Sequence, residues 1–114
     1  MVSKSLYIPD RGDIAWINFD PQSGREQAKR RPAIVLSPRP YNEKTGLAIV
    51  CPITAHAKGY PFEVRIHGGK TNGVVLSDHI RSVDWRTRRA AFIQKAHSVC
   101  ITEIQNKILR LLTG

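Results

Sequence analysis

The chain has 114 residues, the length of one domain that can bury a core without disulfides or metal ions. Its 18 Lys and Arg residues against 9 Asp and Glu residues give a formal net charge of +9, so a polyanionic partner is expected. Nucleic acid is the first candidate, followed by an anionic membrane surface and an acidic protein segment. No stretch reaches the ~20 apolar residues of a membrane span, which excludes a membrane-embedded protein.

The two cysteines, Cys51 and Cys100, lie in apolar stretches and lack the spacing of metal ligands. Buried thiols in a reducing compartment are therefore favoured over a disulfide. Residues 1–13 contain no apolar signal region, so a cytoplasmic location is expected.

The first predicted strand covers residues 12–20 and is largely apolar on both faces. Such a strand is covered on both sides, as in a small barrel, and Trp16 is expected in the core. A turn follows at 20–24. The charged stretch 24–32 then leads into a second strand at 33–37, where β-branched residues favour pleated structure.

Pro38 and Pro40 end the second strand, and 41–46 is interpreted as a polar loop. The third strand, 47–54, is apolar throughout and is expected to be central. An edge or a bulge is expected at Pro52, because proline has no N–H for the ladder. The following elements are a strand at 62–67, a turn at 68–73, and one or two strands over 74–85 with a break at 77–79.

Near the end of the chain, the spacing of apolar residues changes from that of a strand to that of a helix. Apolar residues recur at helical spacing and predict a helix over about 100–112: Ile101, Ile104, Ile108, Leu111 and Leu112. Residues 88–97 fit either a strand or a helix. Five to seven short strands with one helix predict a mainly β fold with a C-terminal α-helix, a small antiparallel barrel or half-barrel.

Residues 24–32, "GREQAKRRP", place one carboxylate, Glu26, among four cations. A solvated loop with one ion pair, contributing ~0–1 kcal/mol, is the simplest interpretation. The mixed charge favours chemistry on a phosphodiester, since a loop that only binds phosphate has no use for a carboxylate. On RNA, Glu26 is suited to take the proton of the 2′-hydroxyl, and the planar fork of Arg31 is suited to stabilise charge on the phosphate.

No residue is an obvious proton donor to the leaving oxygen. Of the four histidines, His67 and His97 are expected on the surface, whereas His56 and His79 lie at predicted strand ends and remain open candidates. None of them has the spacing of a metal site, so neither a metal nor a cofactor is expected.

A second basic cluster lies at 81–89, "RSVDWRTRR". It is either a charged strand edge that resists aggregation or a groove for single-stranded nucleic acid. In the groove, arginines contact the backbone and Trp85 stacks on a base. Phe19, beside the first charged segment, is either core or groove.

Six stretches then occur in an order typical of a known family, and together they cover about residues 7–114. They are "GDIAWINFDPQSGREQAKRRPAIVLSP", "YNEKTG", "CPIT", "KGYPFEV", "NGVVLSDHIRSVDW" and "ILRLLTG". The most specific is G-x-E-Q-x(3)-R-P at 24–32. The chain thus resembles the MazF/PemK toxins of bacterial toxin–antitoxin modules, and is most similar to the MazF branch.

The resemblance implies an SH3-like barrel with a C-terminal helix that forms a homodimer. It implies cleavage of single-stranded RNA at short sequences without a metal, leaving a 2′,3′-cyclic phosphate and a 5′-hydroxyl. It also implies inhibition by an acidic, MazE-like antitoxin whose disordered tail wraps the dimer, and no membrane partner. Catalytic roles map onto Glu26, Arg31 and Thr54.

The residues expected to contact RNA come mostly from the two basic clusters. They are Phe19, Arg25, Gln27, Lys29, Arg30, Lys58, Asp78, Arg81, Trp85 and Arg86. Asp78 is the weaker candidate, because the PemK-like branch has an Arg-x-Asp pair where this chain has Leu76, Ser77 and Asp78.

Two functions of other classes stay open. A gyrase poison of the CcdB type shares this barrel, but its expected Trp-Gly-Ile chain end is replaced here by "LLTG". A non-catalytic RNA-binding barrel fits the charge equally well. It differs in predicting that loss of Arg31 weakens RNA binding steeply.

Overall fold

A computed structural model describes residues 6–19 and 30–114, which form seven strands and two helices. The elements are β1 Asp13–Asn18, β2 Arg30–Val35, α1 Arg39–Thr45, β3 Leu47–Thr54, β4 Glu63–Ile66, β5 Gly73–Leu76, β6 Arg81–Asp84, β7 Ala91–Lys95 and α2 Ser98–Thr113. The prediction of a mainly β, antiparallel half-barrel with a C-terminal helix is confirmed. No helix within the described residues is long and apolar enough to span a bilayer.

Strand β3 is the centre of the sheet. The strand order is β4-β5-β3-β2-β1-β7, and β6 also pairs with β3. On the edge opposite β2, β3 pairs with β6 through Val50 and with β5 from Ile53 onward. Pro52 lies at this change of partner, where the ladder is already interrupted and a residue without an N–H is tolerated.

The sheet is buried on both faces because alternate residues of each strand point to opposite sides. One face, here called the helix face, packs under Cys100 and Ile104 of α2. The other, here called the Trp85 face, packs against the indole of Trp85. The helix face includes Ile14, Ile34, Cys51, Ile53, Val64 and Val75; the Trp85 face includes Ile17, Ala33, Val35, Ala48, Val50 and Val83. Both cysteines are free and buried, as predicted.

Helix α2 confirms only part of its predicted apolar stripe. Cys100 and Ile104 are buried, and Ile101 and Ile108 pack beside them. Leu111 and Leu112, however, are 57% and 75% exposed, because the helix extends past the sheet that it covers.

The prediction of a loop at 41–46 is wrong, since residues 41–45 belong to α1. Pro40 favours the helix start, and Gly46 ends the helix in the left-handed conformation at φ 74°. Asn42 is fully buried, and its Nδ2 donates to the carbonyls of Pro9 and Ser37 at 2.8 and 2.9 Å. A single buried asparagine fixes this short helix, and an apolar pattern could not reveal it.

Two strand assignments change as well. Strand β2 begins at Arg30 instead of residue 33, because Arg30 pairs with Asn18 of β1. The charge of these residues suggested a loop, but a strand end open to solvent accepts it. Residues 88–97, left undecided by the sequence, contain the edge strand β7.

The two tryptophans exchange their predicted environments. Trp85, predicted to stack on a base, is only 1% exposed, and its Nε1 donates to the carbonyl of Asn42 at 2.9 Å. Trp16, predicted in the core, is 39% exposed, with the guanidinium of Arg30 5.3 Å from its ring centroid. Both predictions are therefore wrong, because the chain after β6 folds Trp85 onto the sheet while α2 does not reach Trp16.

Replacing these residues tests the exchange. We expect Trp85→Ala to lower the free energy of unfolding by about 3–5 kcal/mol, because it leaves a cavity in the core. Trp16→Ala, the matched control, is expected to cost about 1 kcal/mol or less because Trp16 is partly solvated. Urea denaturation measures both, and equal losses would contradict this assignment of the core.

Candidate active site

The start of β2 lies beside the end of β3. Ala33 pairs with Pro52, and continuing this antiparallel register by two residues places Arg31 opposite Thr54. Opposed residues in such a pair point to the same face, which here is the Trp85 face, since Ala33 belongs to it. The register thus directs to one face two residues that are 23 positions apart in the sequence.

Arg31 is exposed and Thr54 is half-buried. The Thr54 Oγ1 accepts the backbone N–H of His56 at 3.2 Å, so the hydroxyl is held at the strand end with its own proton available for donation. A guanidinium fork and a hydroxyl donor on one face suit a tetrahedral anion such as a phosphodiester.

Arg81 and Phe19 extend this face. Arg81 pairs with Val50, and its guanidinium lies 5.2 Å from the ring centroid of Phe19. Phe19 is partly buried and packs against the Trp85 core, so its ring supports Arg81 and one of its faces is covered. The cations Arg31 and Arg81 therefore lie on the same side of the sheet as Thr54.

Other predicted RNA contacts are placed differently. Arg30 alternates with Arg31 and lies on the opposite face over Trp16, so the structure does not bring it together with Thr54. Arg86 is exposed and covers the Trp85 ring at 5.0 Å. Lys58 is exposed in the loop after β3.

The acidic candidate Asp78 and the histidine candidates His56 and His79 are also exposed. Asp78 lies in the turn between β5 and β6, with its carboxylate 3.8 Å from the imidazole of His79. His56 follows Thr54 by two residues. Arg25, Glu26, Gln27 and Lys29 lie outside the described residues.

Arg88 is a positioning residue that the sequence analysis missed. Its Nη1 donates to the carbonyls of Phe19 and Asn18 at 2.7 and 3.3 Å, and the Arg88 carbonyl accepts the N–H of Asn18 at 2.9 Å. Arg88 thereby fixes the end of β1 directly before the segment that carries Glu26. Only its membership in a basic cluster pointed to it.

Asp84 holds the turn that presents Arg88. Its Oδ1 accepts the N–H groups of Thr87 and Arg86 at 3.0 and 3.1 Å, and its carbonyl accepts the N–H of Arg88. These hydrogen bonds favour the ionised carboxylate, that from the Thr87 N–H most and that from the Arg86 N–H less. They lower the pKa of the Asp84 carboxyl below its usual range.

Among the described residues, no three His, Cys, Asp or Glu side chains lie close enough together to hold a metal ion.

Comparisons of the sequence with known proteins all point to one family. Residues 10–112 match the PemK-like, MazF-like toxins of type II toxin–antitoxin systems. The chain is 49% identical over 101 residues to the endoribonuclease toxin MazF of Escherichia coli (strain K12), which covers 89% of this chain and 88% of that protein. It is 38% identical over 109 residues to the endoribonuclease toxin ChpB of the same strain, covering 90% and 91% of the two chains.

Solved structures agree with this match. The fold superposes on MazF from Deinococcus radiodurans with a TM-score of 0.86 and 50% identity, over 95% of this chain and 99% of that one. It also superposes on a MazE–MazF complex from that organism with a TM-score of 0.84 and 46% identity, over 94% and 97% of the chains. The half-barrel is thus similar to that of a known class of small toxins. The chain belongs to the PemK-like, MazF-like toxin family of type II toxin–antitoxin systems.

The stabilisation of the turn by Asp84 can be tested through its pH dependence. The lowered pKa of Asp84 in the folded state means that its contribution to stability is present above the pKa of the unfolded state, about 4, and is lost as the pH falls through the folded pKa. We expect Asp84→Asn to be less stable than the wild type by under about 1 kcal/mol at pH 7, because Asp84 is exposed to solvent. Urea denaturation from pH 7 to 2.5 should show this difference disappear in acid; a constant difference would contradict it.

Proposed function

We propose that this chain is the endoribonuclease toxin of a toxin–antitoxin module and that it cleaves single-stranded RNA without a metal ion. The observation that carries the proposal is the β2–β3 pairing at Ala33 and Pro52, whose register, continued by two residues, directs the exposed Arg31 and the half-buried Thr54 to one face of the sheet. The relatives that share this fold and are named endoribonucleases support it.

The proposed reaction uses the nucleophile that RNA itself carries. Glu26 takes the proton of the 2′-hydroxyl, and the 2′-oxygen forms a bond to phosphorus. Arg31 and the Thr54 hydroxyl donate hydrogen bonds to the phosphate oxygens as negative charge develops. The bond from phosphorus to the 5′-oxygen then breaks, giving a 2′,3′-cyclic phosphate and a 5′-hydroxyl.

The 5′-oxygen must gain a proton as it leaves. Arginine side chains stay protonated in proteins, so Arg31 supplies charge and does not donate this proton. His56, which follows Thr54, and His79, beside Asp78, are the two described imidazoles next to predicted site residues. Both remain candidates for the proton donor.

RNA is proposed to follow the cationic side of the sheet past Arg81, with Lys58 and Arg86 at its margins. An acidic, MazE-like antitoxin would occupy the same surface by charge complementarity and exclude RNA. The MazE–MazF complex from Deinococcus radiodurans supports this partner, and the family resemblance supports a homodimer. The two buried free thiols are consistent with action in the cytoplasm.

The first experiment incubates the purified protein with a long single-stranded RNA in EDTA and maps the new ends. We expect discrete cuts with 5′-hydroxyl ends from the wild type. We also expect Glu26→Gln and Arg31→Ala to bind RNA with modestly changed affinity, but to cleave about 10²–10⁴-fold more slowly at saturation.

Arg39→Ala is the matched control, because Arg39 starts α1 beyond the other end of β2. It should cleave like the wild type. Wild-type rates for Glu26→Gln would remove its role as the base. A steep loss of affinity in Arg31→Ala, with no cleavage by the wild type, would identify a non-catalytic RNA-binding barrel.

Salt dependence tests the path of the RNA. The logarithm of the binding constant should fall linearly with the logarithm of salt concentration. Replacing Arg81 by Gln should reduce the slope by about 0.7, the value for one phosphate contact on a single strand. Fluorescence anisotropy with a labelled RNA measures this, with Arg39→Gln as the control. An unchanged slope for Arg81→Gln would place the RNA elsewhere.

A further inference from the structure

The burial of Trp85 leaves the candidate site without the base-stacking residue that the sequence suggested. An aromatic pair that the sequence analysis did not select lies in the loop at 55–62. The rings of Tyr60 and Phe62 stack with centroids 5.3 Å apart and an interplanar angle of 22°, and Tyr60 is 51% exposed. Tyr60 therefore presents an open aromatic face to solvent.

This loop is held by the carboxylate of Glu63, the first residue of β4. Glu63 accepts the N–H groups of Lys58 and Gly59 at 3.0 Å, and its own N–H donates to the Tyr60 carbonyl at 3.1 Å. Gly59 has a φ of 81°, which a residue with a Cβ adopts only with strain. The aromatic pair is thus preorganised, so that a ligand need not order the loop on binding.

The loop also contacts elements on both of its sides. The Phe62 carbonyl accepts the N–H and the hydroxyl of Ser77, the neighbour of Asp78. The Lys107 Nζ of α2 donates to the Pro61 carbonyl. Since Tyr60 lies six positions after Thr54, their Cα atoms are at most about 22 Å apart, a span that a few unpaired nucleotides can bridge.

Cations accompany the aromatic pair. A cleft of about 240 Å³ beside Phe62 is lined by Lys107 and Arg110 of α2. The exposed ring of Tyr60 is thus joined through Phe62 to a cleft that carries cations. Proteins bind single-stranded nucleic acid with such a combination, since an aromatic ring stacks on a base and cations contact the backbone. An acidic, apolar peptide is the other macromolecule that such a surface suits, but the flat open ring and its link to Thr54 favour RNA.

We propose that the Tyr60–Phe62 pair, in the loop before the edge strand β4, is a stacking site for one unpaired base of the RNA, outside the cleaved step, with the adjoining phosphate bound by Arg110. The RNA would pass from the Trp85 face around this edge of the sheet to reach α2. This proposal rests on the proposed ribonuclease function and names a determinant of substrate binding for it. The ring does not touch the reacting atoms, so it contributes to affinity and not to the rate of the chemical step.

The test uses an RNA oligonucleotide with one cleavage site and a series in which a single flanking nucleotide is made abasic. For the wild type, we expect one flanking position at which removal of the base weakens binding about 5- to 150-fold. Tyr60→Ala should show the same loss with the intact oligonucleotide and no further loss at that abasic position. Tyr60→Phe should restore binding, and cleavage rates at saturation should stay within about twofold of the wild type.

Tyr41→Ala is the matched control, because Tyr41 is an exposed tyrosine of α1, 39% accessible, outside the proposed RNA path. The proposal is wrong if no abasic position matters or if Tyr60→Ala binds RNA like Tyr41→Ala. It is also wrong if Tyr60→Ala changes only the oligomeric mass or only the binding of an acidic peptide. If the wild type cuts no RNA in EDTA, the proposed function fails, and the affinities of the same oligonucleotides still decide whether Tyr60 stacks on a base.

Discussion

The pairing of β3 with three other strands is the constraint on which the molecule depends. Its first half pairs with β6 and its end with β5, while β2 lies along its other edge. Because this register is fixed by apolar residues buried on both faces, a slip of one residue would move every side chain to the wrong side. The same register, continued two residues beyond Ala33 and Pro52, directs Arg31 and Thr54 to one face, so the core and the candidate site share one determinant.

Side chains that are not themselves part of the candidate site hold the strand ends and loops beside it in place. From the turn after β6, Arg88 binds the carbonyls of Asn18, the last residue of β1, and of Phe19, which follows it. Asp84 holds that turn through two backbone N–H groups. Glu63 holds the loop after Thr54 in a similar way. Charged side chains here satisfy backbone groups at strand ends, where preorganisation of flanking loops bears directly on binding and catalysis.

The cationic side chains therefore have two roles, binding a polyanion and stabilising the fold, and the composition alone does not distinguish them. Arg31 and Arg81 lie on the Trp85 face and are exposed, so they can meet a polyanion on that side. Arg30 and Arg86 cover indole rings, and Arg88 binds carbonyls. A net charge of +9 predicts a polyanionic partner, yet several of its cations also serve to stabilise the fold.

Periodicity and motif content determined the class of fold, the β5–β6 break, the C-terminal helix and the membership of the family. These features are local or depend on short ordered motifs, so one sequence carries them. The environments of Trp16 and Trp85, the helix α1 around Asn42 and the role of Arg88 were decided only by tertiary structure. Each depends on a partner far along the chain, such as Asn42 for Trp85 and Phe19 for Arg88, and residue type alone does not encode which surface a neighbouring element covers.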